Sequence, residues 1–279
     1  MPHCCHHYRR LKLGFSSLLE RRWETSQSLL CVGLDPDTSR FPKSYSTDAE
    51  GIEWFLTDIV DATAEYACAF KPQIAYFAAV GAEQQLEKVC AYIRDNYPDI
   101  PIILDAKRGD IGDTARMYAR EAFDRYGAHA VTVNPYMGTD TIEPYLTHPQ
   151  GAAVVLCRTS NAGSGDFQSQ VIDGEPLYVH VAQRATTQWA QMGDVSLVVG
   201  ATYPEELATV RSIVGDMTLL VPGVGAQGGD PEVVVRNGCN AHGTGVIVNS
   251  SRAILYAEGG IAGAAQEAQR TRDALNAAR

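Results

Sequence analysis

The stretch Leu104-Asp105-Ala106-Lys107-Arg108-Gly109-Asp110-Ile111-Gly112-Asp113-Thr114 sets two carboxylates and a lysine close together, from Asp105 to Asp110, directly behind the apolar run Ile102-Ile103-Leu104. An apolar run opened by Pro101 and closed by Gly109 predicts a short buried strand. Side chains two apart on a strand share a side, so Asp105 and Lys107 are expected to project together from its C-terminal end. Asp110 follows in the turn, and Gly112-Asp113-Thr114 opens a helical pattern. Burying an unpaired charge is costly, so the cluster is either a structural ion-pair network or a functional site.

Outward from this strand, the chain alternates strand and helix eight times. The strand candidates span 29–35, 68–73, 102–107, 130–134, 153–159, 196–201, 218–222 and 245–249. Amphipathic helical stretches lie at 52–66, 77–96, 114–126, 177–191 and 205–214, and 252–275 closes the chain. The strands are short and apolar on both faces, the pattern of parallel strands covered on each side. Eight such units without a composition break predict an α/β fold, a single-domain (β/α)8 TIM barrel over 27–279, with a partly helical N-terminal extension over 1–26. A doubly wound open sheet is the alternative. It accounts less well for polar residues at many strand ends, because an open sheet gathers its site at one switch point.

A length of 279 residues is ordinary for one such barrel, and 25 glycines suit its many strand-helix turns. The net charge of −10 argues against nucleic acid or an anionic membrane surface as the main partner. No stretch has the length and apolarity of a membrane span. Seven scattered cysteines with no C-x-x-C pair fit a reduced, cytoplasmic setting. His3, Cys4, Cys5, His6 and His7 could bind a soft metal, but no matching half-site follows, and a frayed leader is the expectation. His129, His148, His180 and His242 read as scaffold or surface histidines.

The strand ends, taken in order, converge in a barrel. Strand one ends at Asp35, and strand two places Lys71 in an apolar run. Strand three brings Asp105, Lys107 and Asp110. After strand five comes Arg158-Thr159-Ser160-Asn161-Ala162-Gly163-Ser164-Gly165, small and flexible enough for a lid. Strand seven ends in Pro222-Gly223-Val224-Gly225-Ala226-Gln227-Gly228-Gly229, and strand eight in Val248-Asn249-Ser250-Ser251-Arg252. Gly223, Gly225 and Gly228 let backbone N–H groups approach an anion, and Arg252, next to Ser251, supplies a bidentate fork. In phosphate-binding barrels these two loops usually hold the phosphate.

The D-x-K-x-x-D element, Lys71 and the Pro222–Gly229 loop together resemble the orotidine 5′-phosphate decarboxylase family. Leu156-Cys157-Arg158-Thr159-Ser160-Asn161 and Val248–Arg252 resemble its second bacterial subtype. The likeness runs over about residues 28–256, in barrel order. It implies a cofactor-free, metal-free decarboxylation of orotidine 5′-phosphate to uridine 5′-phosphate in pyrimidine biosynthesis, by a cytoplasmic homodimer with shared sites. It further implies that Asp35 and Lys71 contact the ribose, and that Lys71, Asp105, Lys107 and Asp110 form an alternating, charge-neutral array. Asp110, Ile111 and Thr114 would reach the partner's site, Ser160 would bind the pyrimidine, Gln227 would bridge base and phosphate, and Arg252 would hold the phosphate. Lys107 would be the general acid. Two departures stand out: Ser251 replaces the glycine usual before the arginine, and the loop between strands five and six is longer than in compact members. The rival readings are a metal-dependent phosphosugar decarboxylase or aldolase, which Lys71 disfavours by repelling a cation, and a non-catalytic nucleotide-binding barrel.

Overall fold

The computed structural model describes residues 14–224 and 229–279. Eight parallel strands form its centre: β1 (Leu30–Leu34), β2 (Ala69–Pro72), β3 (Ile103–Arg108), β4 (Ala130–Val133), β5 (Ala152–Arg158), β6 (Asp194–Val199), β7 (Leu219–Pro222) and β8 (Val246–Ser250). They are hydrogen-bonded in the order β2-β1-β8-β7-β6-β5-β4-β3, and bridges from Phe70 to Ile102 and from Gln73 to Asp105 join β2 to β3. The sheet therefore closes into a single-domain (β/α)8 barrel. Every residue of β1, β2, β4 and β8 is buried, as strands covered on both faces require.

The helices depart from their expected spans where glycine intervenes. The stretch 77–96 divides into Ile74–Ala78 and Glu83–Asn96, separated by Gly81 at φ 68°. The closing stretch 252–275 divides into Arg252–Leu255 and Gly260–Ala277, with Gly259 and Gly260 both at positive φ. Left-handed backbone is easy for glycine and interrupts a right-handed helix. An unexpected two-stranded hairpin, Val171–Ile172 against Glu175–Pro176, turns on Asp173-Gly174, both at positive φ, as Asp-Gly turns favour.

Helix α1 (Phe15–Ser26) buries Phe15, Leu18, Leu19 and Trp23. Asp194, the first residue of β6, accepts from the Ser16 amide at 2.9 Å and from its hydroxyl at 2.6 Å. Arg22 is held by the Ala67 carbonyl at 3.0 Å and Asp99 at 3.1 Å. These partners place α1 across the N-terminal ends of the strands, as a floor. Among the described residues no helix is long and apolar enough to cross a membrane.

A carboxylate on the first amides of a helix is worth about 1 kcal/mol, whichever element supplies it. Asp194→Ala should therefore lower stability by about that amount in urea denaturation and leave turnover per folded molecule unchanged. A loss of turnover in the folded variant would show that the floor communicates with the mouth.

Candidate active site

Lys71 and Asp105 come from adjacent strands and meet at the C-terminal end of the barrel. Lys71 Nζ lies 2.8 Å from Asp105 Oδ2, and Lys107 Nζ lies 2.6 Å from Asp105 Oδ1. The arms differ in setting: the Lys71 side chain is 5 % exposed and that of Lys107 49 % exposed. One carboxylate thus joins an interior ammonium to one that faces the mouth.

Burial opposes charge on both interior groups, and their neighbours outweigh it. Desolvation pushes the Lys71 ammonium down, but the Asp105 and Asp35 carboxylates hold it above its ordinary value. Desolvation pushes Asp105 up, yet Lys71 and Lys107 hold it well below the usual carboxylate range. The pair therefore stays ionised together.

The geometry of β3 differs from the expected regular alternation. Leu104 pairs with Val131 and Arg108 with Val133, so the register slips between them. Lys107 sits at φ 47°, and the Thr132 hydroxyl accepts from both the Ala106 and Lys107 amides at 2.9 Å. A bulge, rather than a two-residue period, brings Asp105 and Lys107 together.

Asp110 does not join Lys71 or Lys107 within this chain. Its Oδ1 accepts from the Ile111 amide at 2.8 Å, and Ile111 and Thr114 are exposed. The expected array is, within one chain, two lysines on one aspartate, with the Asp35 carboxylate in electrostatic reach of Lys71. The side-chain partners of Arg108 were not legible beforehand. It forks onto Glu121, with Nη2 2.8 Å from Oε2, and stacks on Tyr118 at 4.5 Å.

Around the triad, the other strand ends are tied to one another. Asp35 Oδ1 and Asn249 Oδ1 are buried acceptors without a protein partner among the described residues. The Tyr256 hydroxyl accepts from the Asp37 amide at 2.6 Å and donates to the Asp35 carbonyl at 3.1 Å. Burial raises its pKa to about 12, so the phenol remains a donor. Arg40 stacks 4.1 Å above the Tyr256 ring, and Arg40, Arg252, Ala253 and Tyr256 line a cavity of about 330 Å³. Ser251 precedes the exposed Arg252, and its hydroxyl accepts from Asn249 Nδ2 at 3.2 Å. A Cβ at Gly33 would collide with that hydroxyl, so the glycine in β1 makes room for the serine.

The β7 loop is pinched at its base. Gly223, at φ 101°, accepts from the Gly229 amide at 3.1 Å. Gly225, Gln227 and Gly228 lie outside the described residues, as do His3, Cys4, Cys5, His6 and His7. Among the described residues no three His, Cys, Asp or Glu side chains converge in a way that could hold a metal ion.

The segment after β5 is braced, in contrast to the flexible lid expected there. Arg158 is 3 % exposed, binds Glu206 at 2.7 Å and the Ser164 hydroxyl, and stacks on Tyr203 at 4.0 Å. Gln168 Oε1 accepts from the Thr159 amide at 2.8 Å. Ser160 packs against Gly200, where any side chain would strike it. Arg158 is thus the anchor of the loop that carries Ser160.

Removing Asp105 tests the triad. In the parent, the Asp105 contribution is lost only as pH falls through its depressed pKa. The Lys71 contribution is lost only as pH rises through its raised one, so both are constant from about pH 5 to 9. Asp105→Asn leaves Lys71 buried without its ion partner, at a cost of about 3–5 kcal/mol. With Asp35 alone left to oppose it, burial then lowers the folded lysine pKa, the unfolded chain binds more protons, and the variant gains stability as pH rises. Urea denaturation at about pH 6 and pH 9 should show the deficit shrinking at the higher pH. An equal deficit at both would remove the buried-charge account.

Comparison with known proteins agrees with this constellation. A family model described as Orotidine 5′-phosphate decarboxylase / HUMPS family matches residues 28–268. The orotidine 5′-phosphate decarboxylase of Janthinobacterium sp. (strain Marseille) is 57 % identical over 95 % of this chain and 98 % of its own length. That of Bordetella petrii is 57 % identical over 96 % of this chain and 100 % of its own. The solved OMP decarboxylase of Leishmania donovani superposes with a TM-score of 0.85 at 38 % identity, covering 95 % of this chain and 99 % of that one. With the triad on β2 and β3, the barrel, and likeness over nearly the whole length, this chain belongs to the orotidine 5′-phosphate decarboxylase family.

Proposed function

We propose that this chain converts orotidine 5′-phosphate to uridine 5′-phosphate and carbon dioxide in pyrimidine biosynthesis, without a cofactor, with Lys107 as the acid that protonates C6. The observation that carries this reading is the Lys71–Asp105–Lys107 chain, which ends in a half-exposed ammonium at the barrel mouth. Heterolysis of the bond from C6 to the carboxylate releases carbon dioxide and leaves an electron pair on C6. An ammonium beside that carbon binds the carbanion better than the ground state, which is what accelerates the step. Lys107 Nζ then gives a proton to C6 and regains one from solvent. Asp105, fixed between two lysines, holds the Lys107 ammonium in place and lies beside the departing carboxylate.

The remaining assignments follow the family likeness. Asp35, with its unpartnered buried oxygen, suits a ribose hydroxyl, and Lys71 lies within its electrostatic reach. Gly223, Gly225, Gly228, Ser251 and Arg252 take the phosphate, Ser160 the pyrimidine, and Gln227 bridges the two. Phosphate binding, remote from C6, contributes energy for closing that loop.

The active form is a cytoplasmic homodimer. Ile111 and Met117 beyond β3, and Tyr136 and Met137 beyond β4, are exposed apolar side chains on adjoining segments. A second copy covering them would bring Asp110, Ile111 and Thr114 to the neighbouring site.

Ultraviolet absorbance of orotidine 5′-phosphate with and without a chelator tests the reaction. Turnover unaffected by the chelator is expected, and turnover lost with it would restore the metal-dependent alternative. Lys107→Ala should abolish turnover while retaining uridine 5′-phosphate binding; unchanged turnover would refute the acid role. Mixing inactive Lys107→Ala and Asp110→Asn chains should restore about a quarter of parental activity through random pairing, if sites are shared between two copies. No recovery on mixing would exclude a shared site.

A further inference from the structure

Three non-glycine residues among those described adopt positive φ: Gln27, Asp173 and Lys107. Gln27 ends a helix and Asp173 sits in a hairpin turn, where such backbone is ordinary. Lys107 lies inside a strand. Left-handed backbone is strained for a lysine, so its surroundings must hold it there.

The holder is Thr132 on β4. Between the pairs Leu104–Val131 and Arg108–Val133, β3 runs through Asp105, Ala106 and Lys107 where β4 has Thr132 alone. The Thr132 hydroxyl accepts from the Ala106 and Lys107 amides, each at 2.9 Å, and donates to Asp105 Oδ1 at 2.9 Å. One donor and two lone pairs are all a hydroxyl has, and all three are used. Asp105 Oδ1 is also the oxygen that binds Lys107 Nζ, and Thr132 is 1 % exposed. A single buried hydroxyl therefore fixes the backbone turn of Lys107 and the carboxylate against which its ammonium rests.

We propose that Thr132 is a positioning residue for the decarboxylation, its hydroxyl setting the bulge that carries Lys107 Nζ to C6. The proposal rests on Lys107 being the proton donor. Without the hydroxyl, the Ala106 and Lys107 amides lose their shared acceptor and the bulge relaxes toward regular strand pairing. A regular strand requires negative φ at Lys107, which turns the side chain away from its present direction. Substrate anchoring at the phosphate loops is untouched, so the defect falls on the chemical step.

Thr132→Val keeps the shape and removes the hydroxyl; Thr132→Ser keeps the hydroxyl and removes the methyl. We expect Thr132→Val to lower kcat about 10²-fold, with KM and the uridine 5′-phosphate dissociation constant within about threefold of the parent. Thr132→Ser should retain most of kcat. Where Thr132→Val does not fold, Thr132→Ala compared with Thr132→Ser isolates the same hydroxyl and should show the same kcat gap. An unchanged kcat in the hydroxyl-free variants overturns the proposal, as does an equal loss in Thr132→Ser, which would make the methyl responsible. Lys107→Ala measured alongside separates the two readings. If it is inactive while Thr132→Val is normal, only the Thr132 proposal fails. If it is active, the proton-donor reading itself fails.

Discussion

The carboxylate of Asp105 is the constraint on which the site depends. It is nearly buried, and both of its oxygens are committed, one to Lys71 and the other to Lys107 and Thr132. An interior lysine is tolerable only beside such a partner, and an interior aspartate only beside such cations. Each member therefore makes the others possible. The arrangement ends asymmetrically, because Lys107 alone of the three reaches far into solvent. A phosphate ester that also bears a carboxylate therefore meets one cationic side chain, that of Lys107, at the mouth.

The rim follows a similar economy of shared partners. Tyr256, beyond β8, holds the backbone beyond β1 through two hydrogen bonds and carries Arg40 on its ring face. Ser251 rests where Gly33 leaves space, and Arg158 ties the segment after β5 to the helix after β6. The chain beyond β1, β5 and β8 is thus tied in each case to another strand unit. Such cross-bracing suits a site whose groups must keep their positions while charge moves.

Much of this was legible in the sequence. Apolar runs such as Ile102-Ile103-Leu104 marked all eight strands, because a strand buried on both faces has little compositional freedom. The charged residues at their ends marked the mouth, since nothing else in a packed barrel explains them. What stayed hidden was conformational. Ala130-Val131-Thr132-Val133 reads as an ordinary strand, and no local signal shows that the threonine hydroxyl faces a bulge. Arg158 opens a polar motif that reads as a flexible lid, yet its partners Glu206 and Tyr203 stand far along the chain. The hairpin at 171–176 did carry a signal, the Asp173-Gly174 turn, but its strands are too short to show alternation. Asp110 was placed in the right turn, while its direction depends on the backbone of that turn.

The floor has a different consequence. Helix α1 packs Phe15, Leu19 and Trp23 beneath the barrel, held by Asp194 at the start of β6, at the end opposite to the triad. Part of the chain's stability is thereby held by residues remote from the chemistry. Substitutions in the floor can accumulate, compensate one another or raise robustness to heat while the mouth keeps its geometry. Mutations at the mouth can in turn be absorbed by a stability reserve held elsewhere. A chain divided in this way can drift widely in sequence and keep one reaction, and it offers the floor as the place to engineer first.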